Sequence, residues 1–339
     1  MFLFFILNFI KQGTLLVNAN YKKNEKLQPK GVLFKMEING VEIENTFCEA
    51  FGAVFTRILV TSKNRKWAKI AAQEATGYGT STIGCDAEAG IDIFVNPEDT
   101  PDHRPGVILM FFKNKKEEMS MVLTHRIGEC ILTCPTTACF DALDDSLDRS
   151  KVFEIKSGNN LKFFGDGFQE KLEGVYPFEA FKIPVMEGEF IVQNSFKVGK
   201  GIAGGNFLII GKDQDSALEA AEKAIEAIKE IPNLIAPFPG GIVRSGSKVG
   251  SKYEFMRAST NQKYCPTLKN KIENSELREQ DNCVYEIVID GATEEAIKKA
   301  IKLGIEAAVQ VPGINRISAG NYGGTLGKFQ YSLYEILSQ

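Results

Sequence analysis

Cys283-Val284-Tyr285-Glu286-Ile287-Val288-Ile289-Asp290-Gly291 is the stretch whose reading decides the fold. β-branched and aromatic residues fill it, and Asp-Gly closes it as a turn does, so it reads as a strand. Side chains alternate along a strand, which puts Val284, Glu286 and Val288 on one face and Tyr285, Ile287 and Ile289 on the other. Both faces are apolar, so the strand is expected to be covered on both sides. A carboxylate there must be paired or protonated to offset its lost hydration. From the strand alone, a glutamate at the sheet rim paired with a Lys or Arg is the better reading. The other reading is a protonated carboxyl that donates a hydrogen bond.

Working outward, the strand belongs to a repeat with a spacing of 80 residues. Phe207-Leu-Ile-Ile210 is the counterpart strand, and Ser216-Ala-Leu-Glu219 is a capping box that predicts the start of a helix. Leu218, Ala221, Ile225 and Ile228 fall on one face of that helix, and Ile231-Pro232-Asn233 ends it. In the second copy Ile297, Ile301, Ile305 and Ala308 make the buried stripe, and Val311-Pro312-Gly313 ends the helix. Each copy reads β-α-β, and two side by side predict a ferredoxin-like sandwich with helices on one face of an antiparallel sheet.

A looser version precedes it. Arg57–Thr61 and Gly106–Phe112 read as strands, and Asn64–Ala75 and Lys115–Leu132 as helices. The expected fold is therefore α+β, with two ferredoxin-like α/β sandwich lobes of mainly antiparallel sheet related by internal duplication. The predicted lobes are residues 36–180 and 181–339. The charged stretch Thr267–Asp281 is expected to be an exposed excursion of the second lobe. Phe2–Ile10 is apolar but too short to span a bilayer, with no basic residue before it and no clear cleavage site after it. Residues 1–35 read as an upstream extension outside the fold, with Met36 as the working start.

Composition excludes several function classes. The chain has 339 residues, 44% hydrophobic and 24% charged, as in ordinary globular proteins. A net charge of −3 gives no basic face for nucleic acid. Cys130, Cys134 and Cys139 cluster without a nearby fourth ligand, so they read as reduced thiols and not as a zinc site. Only His103 and His125 are available, and no Gly-x-Ser-x-Gly elbow occurs. No metal site is expected. Gly165-Asp-Gly-Phe-Gln-Glu170 lacks the third glycine of a dinucleotide fingerprint, and no phosphate-binding Gly-x4-Gly-Lys-Ser/Thr loop is present, so NAD and ATP are rejected.

Glycines gather at the ends of predicted strands, in Gly201-Ile-Ala-Gly-Gly-Asn206, Pro239-Gly240-Gly241 and Gly320-Asn321-Tyr-Gly-Gly324. Such clusters make tight turns or let a backbone approach a ligand. Arg244-Ser-Gly-Ser-Lys-Val-Gly-Ser-Lys252 reads either as a cradle for carboxylate or phosphate or as a solvated loop. Ala258-Ser-Thr-Asn261 is a second polar loop, either a surface turn or a source of hydrogen bonds.

From Met36 to about Leu337 the chain closely resembles formylmethanofuran:tetrahydromethanopterin formyltransferases. The segments that carry the resemblance include Glu74-Ala-Thr-Gly77, Glu88-Ala-Gly-Ile-Asp92, Phe163-Phe-Gly-Asp-Gly167, Ala203-Gly-Gly-Asn-Phe207, Ala236-Pro-Phe-Pro-Gly-Gly-Ile-Val243, Ser247-Lys-Val-Gly-Ser-Lys252, Cys283-Val-Tyr-Glu-Ile-Val288 and Ile317-Ser-Ala-Gly-Asn321. The resemblance implies a cytoplasmic enzyme without prosthetic group or metal, working as a homo-oligomer, commonly a tetramer, with no membrane or nucleic-acid partner. Its coenzyme substrates would be methanofuran and tetrahydromethanopterin. It further implies direct attack of N5 of the acceptor on the formyl carbon in a ternary complex, with the carboxyl at Glu286 stabilising the oxyanion. Under this resemblance the protonated reading of Glu286 becomes the better one. Arg244, Lys248 and Lys252 are candidates, by charge and placement, for the anionic coenzyme tails. Gly204, Gly205, Asn206, Gly240, Gly241, Ser259, Asn261, Gly320 and Asn321 are candidates for backbone or polar contacts. The competing readings are a subunit of a formyltransferase/hydrolase complex and a non-catalytic pterin-binding paralogue.

Overall fold

The computed structural model describes residues 35–143 and 152–339. The extension expected over residues 1–35 falls, except for Lys35, outside them. The first lobe runs β1 (Phe47–Thr61), α1 (Arg65–Thr76), β2 (Glu88–Val95), β3 (Gly106–Lys113), α2 (Lys116–Arg126) and β4 (Ala138–Asp141). Its strands lie in the order β4-β1-β3-β2, all antiparallel. The second lobe runs β5 (Phe196–Gly211), α3 (Gln214–Ile228), β6 (Leu234–Ile235), β7 (Ile242–Val243), β8 (Cys283–Gly291), α4 (Glu294–Ala308) and β9 (Ile314–Ser318). There β9 pairs β5, β5 pairs β8, and β8 pairs the short β6 and β7, again antiparallel. Both lobes thus have the expected β-α-β-β-α-β order with helices on one face. The long strands also pair, Phe51–Phe55 against Gly199–Ala203, so the two sheets continue into each other.

The repeat is visible in the register. Phe207 faces Ile287 directly across β5 and β8, although the two are 80 residues apart in sequence. Phe207, Ile209, Ile287, Ile289 and Ile317 point to one face and form a core with α3 and α4. In α4 the predicted stripe Ile297, Ile301, Ile305 and Ala308 is fully buried. In α3 the buried stripe is Ala217, Ala220, Ala221, Ala224 and Ile228, while Leu218 and Ile225 are half-buried. The helix therefore turns its small residues inward. Close packing explains this: a Cβ on Gly304 of α4 would stand 2.7 Å from the Phe207 ring, so the layer leaves little room for larger side chains. The helix also begins earlier than the Ser216 capping box predicts. Asp213 is its N-cap and accepts from the Ser216 backbone N–H at 2.8 Å. The helix expected over Lys115–Leu132 is α-helical to Arg126 and then widens to a π turn over Ile127–Ile131.

The other face of the second sheet carries Asn206, Leu208, Glu286, Val288 and Ser318. No helix covers it. Segments between residues 244 and 281 and between 319 and 328 fold over it, and the cleft lies beneath them. The charged stretch Thr267–Asp281 is anchored at its end. Asp281 is fully buried and accepts from Nε and Nη2 of Arg316 at 3.1 and 2.9 Å, and Arg316 itself is 2% exposed.

Candidate active site

Two cavities meet on the open face of the second sheet. The first, of about 470 Å³, reaches toward the first lobe and is lined by Glu49, Phe51, Ser81, Glu88, Phe238 and Val288 among others. The second, of about 660 Å³, runs toward Lys248, Asn261, Lys263, Tyr264, Ser318 and the 319–325 loop. Asn206, Ser247, Glu286, Tyr322 and Leu326 line both. A molecule in each would therefore face the other across these five side chains.

Glu286 holds the centre. Its neighbours in register are Leu208 on β5 and Val243 on β7, which give it an apolar floor. Its carboxyl makes no hydrogen bond or ion pair among the described residues. Burial, with nothing to offset it, raises its pKa to about 7. The carboxyl is thus held near half-protonation at neutral pH and its proton is free to be donated into the cleft. The sheet-rim ion pair favoured by the strand alone is not formed. Tyr264 and Tyr322 stand nearby; both phenols are pushed upward, first by burial, and then by the negative field of Glu276 and Glu286 at Tyr264 and of Glu286 at Tyr322.

The loop over the cleft is organised by Glu49, a fully buried residue of β1. Its Oε1 accepts from the backbone N–H of Tyr322 at 2.8 Å and Gly324 at 2.5 Å, and its Oε2 from Leu326 at 3.0 Å and Gly327 at 2.6 Å. Burial alone would raise its pKa, but the four N–H donors outweigh it and hold the carboxyl below its ordinary value. Gly323 and Gly324 have φ of +72° and +75°, which lets the loop curl around the carboxylate.

A bulge shapes the opposite wall. Register shifts between Ile202 and Gly205 opposite Gly291 and Ile289, and Gly204 there has φ of +83°. Its N–H donates to Asp290 Oδ1 at 2.9 Å. Asn206 then ties the bulge to the next loop. Its Oδ1 accepts from the Gly320 N–H at 2.6 Å, and its Nδ2 donates to the carbonyls of Gly204 at 3.0 Å and Gly320 at 3.3 Å.

The structure gathers some of the predicted site residues and leaves others outside. Gly204 lines the first cavity, Asn206 both, and Lys248, Asn261, Gly320 and Asn321 the second. Gly205 lines neither; it packs under α4, where a Cβ would meet Ile297 at 2.8 Å. Gly240 and Gly241 form the turn behind Phe238, with Gly241 against Ile225. Ser247–Val249 pairs with Ala258–Thr260 as a small sheet, and Ser259 donates to the Gly250 carbonyl at 2.7 Å. Arg244 and Lys252 are exposed, the latter 5.3 Å over the Tyr253 ring. Glu49, Glu88 and Leu326 were not singled out by sequence as site residues, and Ser247, Tyr264 and Tyr322 were noticed only as members of polar or glycine-rich stretches. For Glu49 the signal existed: like Glu286, it is a lone carboxylate within an apolar strand. Among the described residues no group of three or more His, Cys, Asp or Glu side chains is placed to hold a metal, and no helix is long and apolar enough to cross a membrane.

Paired ferredoxin-like lobes with two cavities joined at Glu286, a carboxyl unpaired among the described residues, make a site that can hold two small molecules side by side. Comparison with known proteins narrows it. A family model described as formylmethanofuran-tetrahydromethanopterin formyltransferase matches residues 36–185, and one described as the proximal lobe of that transferase matches residues 188–336. Enzymes named formylmethanofuran–tetrahydromethanopterin formyltransferase from Methanocaldococcus jannaschii and Methanothermobacter thermautotrophicus are each 54% identical over 304 and 302 residues. The matches span 89% of this chain and 99% and 100% of theirs. The solved formyltransferase of Methanosarcina barkeri superposes with a TM-score of 0.82 at 49% identity, covering 89% of this chain and all of that one. A chain of the formyltransferase/hydrolase complex from Methylorubrum extorquens, solved with methylofuran, gives 0.84 at 43% identity over 90% of this chain and 99% of its own. The chain belongs to the formylmethanofuran–tetrahydromethanopterin formyltransferase family.

Proposed function

We propose that this protein transfers a formyl group reversibly between formylmethanofuran and N5 of tetrahydromethanopterin. The observation that carries this reading is the meeting of two cavities at Glu286, together with family membership over nearly the whole described chain. The donor is a formamide and the acceptor an amine that is nucleophilic near neutral pH, so no covalent enzyme intermediate is required. The acceptor nitrogen attacks the formyl carbon. Negative charge gathers on the formyl oxygen, and the protonated Glu286 carboxyl donates to it as it forms. Collapse of the tetrahedral intermediate breaks the donor C–N bond, and the proton lost by the acceptor nitrogen is taken up by the leaving amine. Holding both substrates together supplies much of the remaining acceleration. Lys248, which makes no ion pair among the described residues, faces the second cavity, where an anionic coenzyme tail can lie.

In this reading the working form is a cytoplasmic homo-oligomer, a tetramer. The exposed side chains Phe163, Phe164, Phe168 and Met186 support it by offering apolar surface for a second copy. A second reading, a subunit of a formyltransferase/hydrolase complex, is favoured by the likeness to the Methylorubrum extorquens complex. The purified chain alone, given both coenzymes, tests the two. Transfer without any partner supports the first, and transfer only after a partner is added supports the second. Tight binding of a pterin without turnover under either condition would replace both with a binding protein.

A further inference from the structure

In the transfer, the attacking nitrogen must lose a proton and the leaving nitrogen must gain one. Glu286 does not serve this need while its proton is committed to the formyl oxygen. The two nitrogens point away from that oxygen about the same tetrahedral carbon, so a second group has to face them.

The sheet offers a place for it. Leu208 on β5 is flanked in register by Glu286 on β8 and by Ser318 on β9, so the three side chains form one row on the open face. With strands about 4.8 Å apart, the backbones at Glu286 and Ser318 stand about 10 Å from each other across Leu208. Both residues line the second cavity, and so do Tyr264 and Glu44. The Tyr264 hydroxyl lies 3.4 Å from Ser318 Oγ. Ser318 Oγ in turn donates to Glu44 Oε2. Glu44 is ion-paired with the buried Arg316, and its backbone N–H donates to the Ile317 carbonyl at 2.9 Å.

The direction of these bonds follows from the protons available. An ion-paired carboxylate only accepts. Ser318 has a single hydroxyl proton and gives it to Glu44. In the contact between Tyr264 and Ser318 the phenol is therefore the donor. That leaves the Tyr264 oxygen with lone pairs alone, and among the described residues it has no other hydrogen-bond partner. Two hydroxyls thus run in order to an anion. Burial raises the pKa of Tyr264, so its phenol is neutral. A neutral phenol can take a proton only by passing its own along the row.

We propose that Tyr264 carries the proton between the two nitrogens, with Ser318 and Glu44 as its relay. The inference rests on the formyl transfer proposed above. As the acceptor attacks, the N5–H bond breaks and the Tyr264 oxygen takes the proton. The phenol proton moves to Ser318, and the Ser318 proton to Glu44. The steps then run backward. Tyr264 gives a proton to the donor nitrogen as its bond to carbon breaks and the electron pair stays on nitrogen. No net proton is gained or lost. Both nitrogens are bonded to one carbon in the tetrahedral intermediate, so a single oxygen serves each in turn. Tyr264 is the catalytic residue, and Ser318 and Glu44 are positioning residues that act through it.

Steady-state transfer by the full chain with both coenzymes tests this. Tyr264→Phe removes one oxygen from the cavity wall. It should lower kcat by about 10²-fold, the lower end of the usual gain from a positioned acid or base. KM for each coenzyme should stay within about threefold of the parent, because the loss falls on the transition state. Ser318→Ala should lower kcat by about tenfold or more, and Ser318→Thr, which restores the hydroxyl, should recover most of it. A Tyr264→Phe variant with parental kcat overturns the proposal, and so does one that changes KM alone. A loss in Ser318→Ala that Ser318→Thr does not recover is a packing effect and overturns the relay. The Ser318 pair decides if Tyr264→Phe does not fold. Absence of transfer by the parent removes the proposed function and this inference with it, whereas an active parent beside an equally active Tyr264→Phe removes this inference alone.

Discussion

Asn206 and Glu286 occupy the same place in the two halves of the repeat, 80 residues apart, and both stand where the two cavities join. Their fates differ. Asn206 spends its amide on Gly204 and Gly320 and becomes scaffold. Glu286 has no partner among the described residues and keeps its proton for the cleft. The repeat offers one position twice, and the loops that fold over it give the two copies different work.

Replacing Glu286 removes the oxyanion donor. Glu286→Ala is expected to lower kcat by about 10²–10³, the usual loss for one such donor. Glu286→Gln should retain more activity, because its amide still donates. Steady-state kinetics with both coenzymes check this, and an alanine variant with parental kcat would exclude the role.

The same carboxyl sets a pH limit. Its pKa is raised to about 7 and the donating form is the neutral one, so kcat/KM should fall as pH rises through that value. The variant Glu286→Gln should lack this limb. Stability follows with a definite sign. The folded pKa lies above the ordinary value of 4.5, so between the two the native state holds a proton that the unfolded chain releases. Stability is therefore lost as pH rises from 4.5 toward 7 and is level above that. With partial solvent screening, the glutamine variant should gain up to about 2–3 kcal/mol over the parent at pH 8.5 and none of this term at pH 4. Urea unfolding at the two pH values measures it.

Glu49→Gln should loosen the loop over the cleft. An amide oxygen cannot replace two carboxylate oxygens that accept four N–H groups, and the amide nitrogen would face donors instead. A loss of about 2–4 kcal/mol is expected, with faster proteolysis between residues 321 and 327 and a fall in activity. In the parent, the depressed pKa of Glu49 adds stability that is present above the ordinary carboxylate range and is lost as pH falls through its folded value.

Asp281→Ala should cost about 1–3 kcal/mol, because the buried Arg316 guanidinium loses two hydrogen bonds to Asp281 while keeping its ion pair with Glu44 and its bond to the Glu276 carbonyl. The end of the 267–281 excursion would be released. Tyr264 and Glu276 line the second cavity, so binding of the substrate held there should weaken as well. Urea unfolding and a KM determined separately for each coenzyme distinguish the two effects.

Much of the fold was legible because the information is local and repeated. The alternation in Cys283–Gly291, the stripe Ile297, Ile301, Ile305 and Ala308, and the 80-residue spacing are fixed by backbone geometry, and the lobes follow from them. The stripe of α3 was not, because whether Leu218 or Ala217 faces inward depends on how closely Gly304 lets the helices approach.

The sequence by itself determined the lobe topology, the family, and the oddity of a lone Glu286 in an apolar strand, since periodicity and residue type are properties of neighbours along the chain. Only the tertiary structure decided what surrounds that carboxyl. Glu49 reaching residues 322–327, Asn206 holding Gly320, and Arg316 clamping Asp281 are contacts between residues far apart in sequence. Hydration, and with it charge and protonation, depends on what stands within a few ångströms in space, and that distance is set by the packing of the whole chain.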